Sequence, residues 1–172
     1  FAGISDHILS LGGVIYGAVY NDDFSVSHFR CDNKNDLKKI QGVKYIQSEM
    51  NDIFSSVKAD LKADKYVLFS GTSCQVAGLL AYLGKTDTSK LFTADLICHG
   101  VPNNMIWQEF IRWNERKYNG TVQDAKFRDK EYGWKGHFES VTINNKKHKT
   151  KRFCLMFYEN DILRPSCYEC KY

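Results

Sequence analysis

Hydrophobic residues recur every three or four positions in five segments of the chain. Ile4, Ile8 and Leu11 share one face at this spacing, and later segments repeat the pattern. Apolar positions at such intervals are typical of amphipathic helices. The pattern predicts helices over 4–11, 51–63, 74–83, 105–118 and, as a short one, 153–160.

Runs of β-branched and aromatic residues lie between these segments. They predict strands over 14–20, 24–30, 66–69, 91–97, 122–127 and 139–144. Polar turns join the first two strands and follow the last one, whereas strands and helices alternate in the middle of the chain. The expected fold class is therefore α/β, with a mixed sheet that has parallel βα units in the middle and hairpins at both ends.

Composition places the chain among ordinary globular domains. Its 172 residues are 43% hydrophobic and 26% charged, which excludes disordered and collagen-like classes. No apolar run approaches the roughly 20 residues of a membrane-spanning helix. The net charge of +4 does not by itself indicate a nucleic-acid partner. The chain opens at Phe1 without a secretion signal, so we expect residues 1–172 to be a single-domain internal fragment of a longer cytoplasmic protein.

The six cysteines fall into two groups. Cys31 and Cys154 have apolar neighbours and are expected to be ordinary core thiols. Cys74, Cys98 and the pair formed by Cys167 and Cys170 lie beside glycine, proline or each other, in segments that indicate loops. Cysteines of this second kind are more often metal ligands or reactive groups than structural disulfides in a reducing compartment.

Two of these loop cysteines follow neighbouring strands. Cys74 comes after a strand, a loop predicted over 71–73 and the start of a helix, where backbone N–H groups favour a thiolate. Cys98 closes the next strand. Because parallel βα units place their carboxyl ends at one edge of the sheet, we expect Cys74 and Cys98 to lie close together. A small residue packed beneath a tight turn is the alternative interpretation of Cys74.

The spacing Cys167-x-x-Cys170 suits one metal ion, one cluster or a redox disulfide. A metal or cluster is favoured, because a thioredoxin-type pair lies between a strand and a helix and this one follows a proline loop, centred on Pro165. The basic run over 146–152 has two interpretations, a solvated hairpin end and a docking site for an acidic partner or a phosphate. The charged and aromatic segments 127–130 and 133–135 could hold a phosphate and a flat ring.

Six ordered motifs carry a resemblance to a known family. The chain is similar to the beta subunit of coenzyme F-420 (deazaflavin) hydrogenases and dehydrogenases, in particular its bacterial members. The motifs are GGVIYGA at 12–18, KYIQS at 44–48, LFSGTSCQVAGL at 68–79, DLICHGVP at 95–102, FRDK at 127–130 with GW at 133–134, and RPSCYECK at 164–171. Ser73 stands where the family usually has proline, and ferredoxin-type cysteine motifs and the portion beyond the Cys-x-x-Cys pair are absent.

The resemblance implies an iron–sulfur flavoprotein oxidoreductase that passes electrons between a [4Fe-4S] cluster, FAD and a carrier or substrate. The cysteines in its motifs, and so the expected cluster ligands, are Cys74, Cys98, Cys167 and Cys170. Expected contacts to the flavin or its phosphates are Lys44, Gln47, Ser48, Gly71, Thr72, Arg128 and Lys130. Expected partners are a redox protein or ferredoxin-type domain and a small-molecule carrier or substrate. No catalytic residue is identified.

Two other functions fit the same residues. A zinc-stabilised binding module without catalysis would use the four thiolates equally well, and metal content distinguishes it. A Cys–His hydrolase or transferase would use Cys74 as nucleophile and His99 as base, although His99 could equally be hydrogen-bonded to the backbone. A nucleophilic Cys74 would be alkylated quickly at neutral pH, whereas a ligand would be protected.

Overall fold

The computed structural model describes residues 1–133, 135 and 137–172, so Trp134 of the sequence motif lies outside the described residues. Its helices are α1 (Ala2–Ser10), α2 (Lys34–Ile40), α3 (Ile53–Lys62), α4 (Ser73–Leu83), α5 (Asn104–Tyr118), α6 (Arg152–Tyr158) and α7 (Pro165–Tyr168). Its strands are β1 (Val14–Tyr20), β2 (Val26–Cys31), β3 (Ser48–Glu49), β4 (Val67–Thr72), β5 (Leu91–Leu96), β6 (Val122–Lys126), β7 (Glu139–Ile143) and β8 (Lys146–Thr150).

The first sheet has the order β3-β2-β1-β4-β5 and confirms the mixed α/β class. β1 and β2 form an antiparallel hairpin, while β4 pairs in parallel with both β1 and β5. Helices cover both faces of β1 and β4, whose residues alternate between the two faces, whereas β5 is largely exposed. Tyr16 and Phe69 pack toward α3 and α4, and Ile15 and Leu68 pack toward α1 and α2.

The hairpin predicted at the C-terminal end forms, but in a second sheet. β6, β7 and β8 make a separate antiparallel sheet, which packs against α5 and α6 around Trp107 and Phe153. The first sheet also contributes to this core, because Val26 of β2 and Ile46, just before β3, belong to it as well. The indole Nε1 of Trp107 also donates to the Phe24 carbonyl, at 2.8 Å, and so fixes α5 to the first hairpin.

Two sequence predictions were wrong in detail. No loop occupies 71–73: β4 continues through Thr72, and α4 begins at Ser73 with a capping box in which the Thr72 amide donates to Gln75 Oε1 at 3.0 Å. Helix α7 replaces the loop expected at Pro165. Helix α2 was not predicted, because only Leu37 and Ile40 of its seven residues are apolar.

One buried carboxylate ties β1, β2 and α3 together behind the sheet. Asp60 accepts hydrogen bonds from the Tyr16 hydroxyl at 2.6 Å and from Arg30 Nε at 2.7 Å. Lys65 adds a third partner at 3.1 Å. These donors stabilise the charged form and lower the pKa of Asp60 to about 2, against the burial that opposes it.

Among the described residues, no helix is both long and apolar enough to cross a bilayer.

Candidate functional site

Two of the predicted ligand cysteines lie at the same edge of the first sheet. β4 and β5 are in register to their last residues, with Thr72 opposite Leu96. Cys74 therefore lies in the first turn of α4, and Cys98 follows the end of β5 two residues later. Both residues line a single large cavity.

A short backbone pairing brings Cys167 to this edge of the sheet. The Arg164 amide donates to the Val101 carbonyl at 2.9 Å, and the Asn103 amide donates to the Ile162 carbonyl at the same distance. This pairing allows the Val101 amide to donate to Cys167 Sγ at 3.3 Å. The close approach requires glycine at 100, because a Cβ there would lie 2.8 Å from Leu163 and the φ angle is 139°.

The surroundings of three of the four thiols are polar or charged. Burial of the thiol is the main cause that raises the pKa of Cys98, followed among charge effects by Cys167, Cys74 and Cys170. Thr72 Oγ1 lies 3.2 Å from Cys74 Sγ, and Arg164 Nη2 lies 3.9 Å from Cys167 Sγ. Within the described ranges, no three Cys, His, Asp or Glu side chains already form a site for a single metal ion.

The other two cysteines have the expected core role. Cys31 and Cys154 are buried, and neither lines the large cavity in the part of the chain that the structure describes. Burial raises the pKa of both thiols. Cys154 also lies near the buried Glu139, which accepts the amide N–H groups of Phe153 and Cys154 at the start of α6.

The cavity has a volume of about 1010 Å³ and contains most of the predicted cofactor contacts. Those on its wall are Lys44, Gln47, Ser48, Gly71, Thr72 and Arg128. Lys130 lies instead in a 3₁₀ turn, Lys130–Tyr132, outside the wall as far as the described residues define it. The sequence therefore predicted six contacts of one cavity and one residue beside it.

The cavity wall is cationic. Lys44, Arg128 and Arg164 line it, and no Asp or Glu occurs among its described lining residues. Lys44 is already satisfied, because its ammonium donates to the carbonyls of Ile40, Gln41 and Gly42 at 3.2–3.4 Å. Burial lowers its pKa to about 8. Lys44 therefore holds the turn after α2 and supplies charge rather than a free donor.

The two arginines have more freedom to bind a ligand. Arg128 adopts a left-handed backbone with φ 48°, and the next residue, Asp129, is buried and anchored by the Ser140 hydroxyl at 2.6 Å. Arg164 Nε is buried without a hydrogen-bond partner among the described residues. An unpartnered guanidinium N–H is costly inside a protein, so this atom is available to an anionic ligand.

Aromatic residues also line the cavity, and the sequence analysis did not identify them as site residues. Tyr45 stacks on Phe157 with ring centres 4.8 Å apart, and His99 meets Phe157 edge-on at 5.1 Å. Tyr158 and His137 complete this wall. Tyr45 was within a quoted motif, but nothing in the spacing of α6 indicated which cavity its residues would face.

His28 was also missed. It lies on β2, is 6% exposed, and its Nε2 is 3.0 Å from the Ser70 carbonyl, while its ring stacks on Phe69. Burial lowers its pKa, so the ring is neutral and Nε2 donates to the carbonyl. Its Nδ1 has no partner among the described residues. Nothing in the alternating sequence of β2 indicated that this histidine would be buried and line the cavity.

The pair required by the hydrolase alternative does not form a dyad. Cys74 and His99 both line the cavity, but no hydrogen bond joins them in the described part of the chain. The contacts of His99 are aromatic, with Phe157 and Tyr158. The catalytic base that would activate a Cys74 nucleophile is therefore not in place.

Comparison with known proteins identifies the family. A family model for the C terminus of the coenzyme F420 hydrogenase/dehydrogenase beta subunit matches residues 64–172. No curated protein matches the sequence. Among solved structures, the fold is similar to a chain of the F420-reducing [NiFe] hydrogenase complex from Methanosarcina barkeri, with a TM-score of 0.60 at 14% identity. That match covers 96% of this chain and 58% of the other, so this chain spans little more than half of its length.

Proposed function

The chain belongs to the coenzyme F420 hydrogenase/dehydrogenase beta subunit family, and from this premise we propose that it is an iron–sulfur flavoprotein. The family name itself assigns a redox function. The finer proposal is that the chain passes electrons between a [4Fe-4S] cluster, FAD and a carrier or substrate. Two thiols on the wall of a cationic, aromatic cavity, Cys74 and Cys98, support this proposal, together with the contact of Cys167 with the Val101 amide beside them.

Cys74, Cys98, Cys167 and Cys170 would hold the cluster. Thiolates are the ligands of [4Fe-4S] clusters, and backbone N–H groups that donate to the sulfurs adjust the reduction potential. The Val101 amide is such a donor to Cys167. Arg164 places a positive charge beside the same sulfur and would offset the negative charge of a thiolate-ligated cluster.

FAD fits the cavity by charge and by shape. A diphosphate needs cations and free N–H groups, which Arg128, Arg164 and the first turn of α4 supply. A flat ring system needs an apolar, aromatic surface, which Tyr45 and Phe157 supply. A Cβ at Gly71 would meet Phe69 and Gln75 at about 3 Å, so a larger residue there would disturb the start of α4.

The chain's own residues would bind and orient FAD and shield it from water. When bound, FAD exchanges one-electron and two-electron steps, which lets a one-electron cluster serve a two-electron substrate. Ser48 accepts from Gln75 Nε2 at 2.8 Å and so holds the segment before α3 against the start of α4. The neutral His28 presents a ring without charge at the sheet edge.

The partners and the compartment belong to the same proposal. Electrons would come from or go to a redox protein or a ferredoxin-type domain, and the second exchange would be with a small-molecule carrier or substrate. The six cysteines are all free thiols, which favours a reducing, cytoplasmic setting.

Anaerobic reconstitution tests the proposal. The chain is incubated with iron, sulfide and FAD, and its iron, sulfide, zinc, flavin and visible spectrum are measured. We expect about four irons per chain by the stoichiometry of the cluster, with one FAD. Cys167→Ser should abolish the cluster absorbance, whereas Cys31→Ala, which changes a buried thiol outside the cavity, should retain it.

The other outcomes identify the alternatives. Zinc without iron in the wild-type chain would support a structural module and contradict the cluster. A cluster without bound FAD would contradict the flavoprotein part of the proposal. An unchanged spectrum in Cys167→Ser would overturn the ligand assignment.

A further inference from the structure

Three ionisable side chains form a hydrogen-bonded chain on the cavity wall. His137 Nδ1 lies 2.8 Å from the Tyr158 hydroxyl, and that hydroxyl lies 3.4 Å from the hydroxyl of Tyr45. They come from three separate segments: the approach to β7, the end of α6 and the turn before β3. All three line the cavity, and none has a role in the arguments above beyond the aromatic surface.

Two of the three also border a second pocket. This outer pocket has a volume of about 250 Å³, and its wall includes Lys135, Lys151, His137 and Tyr158. His137 and Tyr158 therefore stand between the outer pocket and the main cavity. A ligand that fills the main cavity would cover their inner side and leave the outer pocket open to water.

The backbone holds His137 in an unfavourable conformation. Its φ is 45°, a left-handed value that is unfavourable for a residue other than glycine. The following residue is fixed, because the Phe138 carbonyl accepts the Asp129 amide at 2.8 Å. The result places the imidazole edge-on against the Tyr158 ring, at 89° and 5.3 Å.

The surroundings suit a neutral phenol that passes protons. Arg128, Tyr45, His99 and Cys154 lie around Tyr158, and Lys135 and Lys151 face His137 from the outer pocket. No carboxylate lines either pocket among the described residues, so neither pocket has an acidic proton donor of that kind. Burial and the neighbouring Tyr45 raise the pKa of Tyr158, which keeps its hydroxyl protonated.

We propose that His137 and Tyr158 form a proton relay from the outer pocket into the main cavity, an inference that rests on the proposed function. A two-electron carrier that receives electrons from the redox partner also takes up a proton. The Tyr158 O–H bond breaks as the carrier's acceptor atom takes this proton, and the Nδ1–H of the neutral His137 imidazole replaces it. At the same time, Nε2 of His137 takes a proton from water in the outer pocket, and bulk solvent neutralises the hydroxide left behind. One proton thus enters the cavity, and exchange with solvent returns the ring from its Nε2–H to its Nδ1–H tautomer.

Matched variants test the relay. Tyr158→Phe keeps the ring that packs on Phe157, and His137→Asn keeps a residue that tolerates the left-handed backbone. His148→Asn is the control, because His148 lies on β8 of the second sheet, stacks on Tyr118 and lines neither pocket among the described residues. In the FAD-free protein, ¹⁵N NMR of the His137 ring should report a changed tautomer balance in Tyr158→Phe and none in the control.

The decisive measurement is proton uptake by the FAD-loaded chain. A pH-indicator dye follows uptake after photoreduction, and FAD affinity is measured on the same samples. Loss of a general acid slows proton transfer by about 100-fold or more, so both variants should show this with unchanged FAD affinity. Unchanged uptake in both would overturn the relay and leave the flavoprotein proposal standing.

The remaining outcomes separate the two proposals. A joint loss of FAD affinity and uptake in both variants would assign the pair to ligand positioning and overturn the relay. Failure of the wild-type chain to bind FAD would overturn the flavoprotein proposal and the relay with it. An unchanged His137 spectrum in Tyr158→Phe would refute the hydrogen bond itself.

Discussion

Replacing the buried Asp60 with asparagine should destabilise the chain more than the loss of one exposed surface charge would. Asp60 is buried, with a side chain 10% exposed, and it accepts from Tyr16, Arg30 and Lys65. Its pKa of about 2 lies below the ordinary value, so ionisation alone contributes about 2.6 kcal/mol of stability at pH 7. Loss of one of the two carboxylate oxygens, which together accept from Tyr16, Arg30 and Lys65, raises the expected loss to roughly 3–4 kcal/mol, although Arg30 keeps Asp32 as a partner.

A matched control exists on the same arginine. Asp32 pairs with Arg30 Nη1 at 2.8 Å, but its side chain is 57% exposed. Exposed ion pairs are worth about 0.2–1 kcal/mol, so Asp32→Asn should lose less than about 1 kcal/mol. Urea unfolding at pH 7, followed by fluorescence of the buried Trp107, measures both variants. For a chain of this size, Asp60→Asn should lower Tm by roughly 6–16 °C.

The pH dependence provides the refutation. The folded-state pKa of Asp60 is depressed, so its stabilisation is present above the unfolded-state value of about 3.9 and is lost as pH falls toward 2. The difference in the free energy of unfolding between wild type and Asp60→Asn should therefore become smaller between pH 5 and pH 3. Equal costs for the Asp60 and Asp32 variants at pH 7, or a gap that is unchanged at pH 3, would refute the reasoning.

Three further predictions concern the cavity. Gly100→Ala should displace the segment that carries Cys167 and lower cluster incorporation, because its Cβ meets Leu163, whereas Gly3→Ala has open space and should not; equal incorporation would contradict this. Lys44 should titrate near pH 8 when its ammonium is followed by NMR. Because the same lysine in the unfolded chain keeps its proton up to about pH 10.4, the free energy of unfolding should rise as the pH goes from 8 to 10. A titration midpoint above pH 10 would argue against burial of the ammonium. Arg128→Gln should weaken FAD binding about 10- to 100-fold by calorimetry through a lost charged hydrogen bond, whereas Arg112→Gln, at an exposed arginine of α5, should leave it unchanged.

Local patterns predicted much of the first sheet. The strand over 14–20 and the helix over 74–83 were found within a residue, because their apolar periodicity coincides with real burial against helices on both faces. Helix α2 escaped prediction because its stability comes from an Asn33 cap and two buried side chains rather than from a periodic stripe. The separate second sheet escaped it because strand pairing is a tertiary choice that periodicity does not encode.

The candidate site divides along the same line. Topology alone predicted that Cys74 and Cys98 lie close together, because neighbouring parallel strands end at one edge of the sheet. The wall formed by Tyr45, Phe157 and Tyr158 depends on how α6 packs over the turn before β3, and no local pattern fixes that packing. The sequence thus predicted the cysteines at the strand ends. It missed the aromatic residues that reach the cavity only because α6 packs over the turn before β3.

The proposed cluster, which would hold Cys167 as a thiolate, would make the cavity and the cluster site electrostatically dependent on each other. Arg164 lines the cavity and lies 3.9 Å from Cys167, with its Nε unpartnered among the described residues. One guanidinium therefore serves both a thiolate and any anion in the cavity, and an anion that draws on its charge leaves less for the sulfur. Because coupling free energies are reciprocal, an anionic ligand should lower the affinity for a cluster electron by the same factor that the electron lowers the affinity for the ligand.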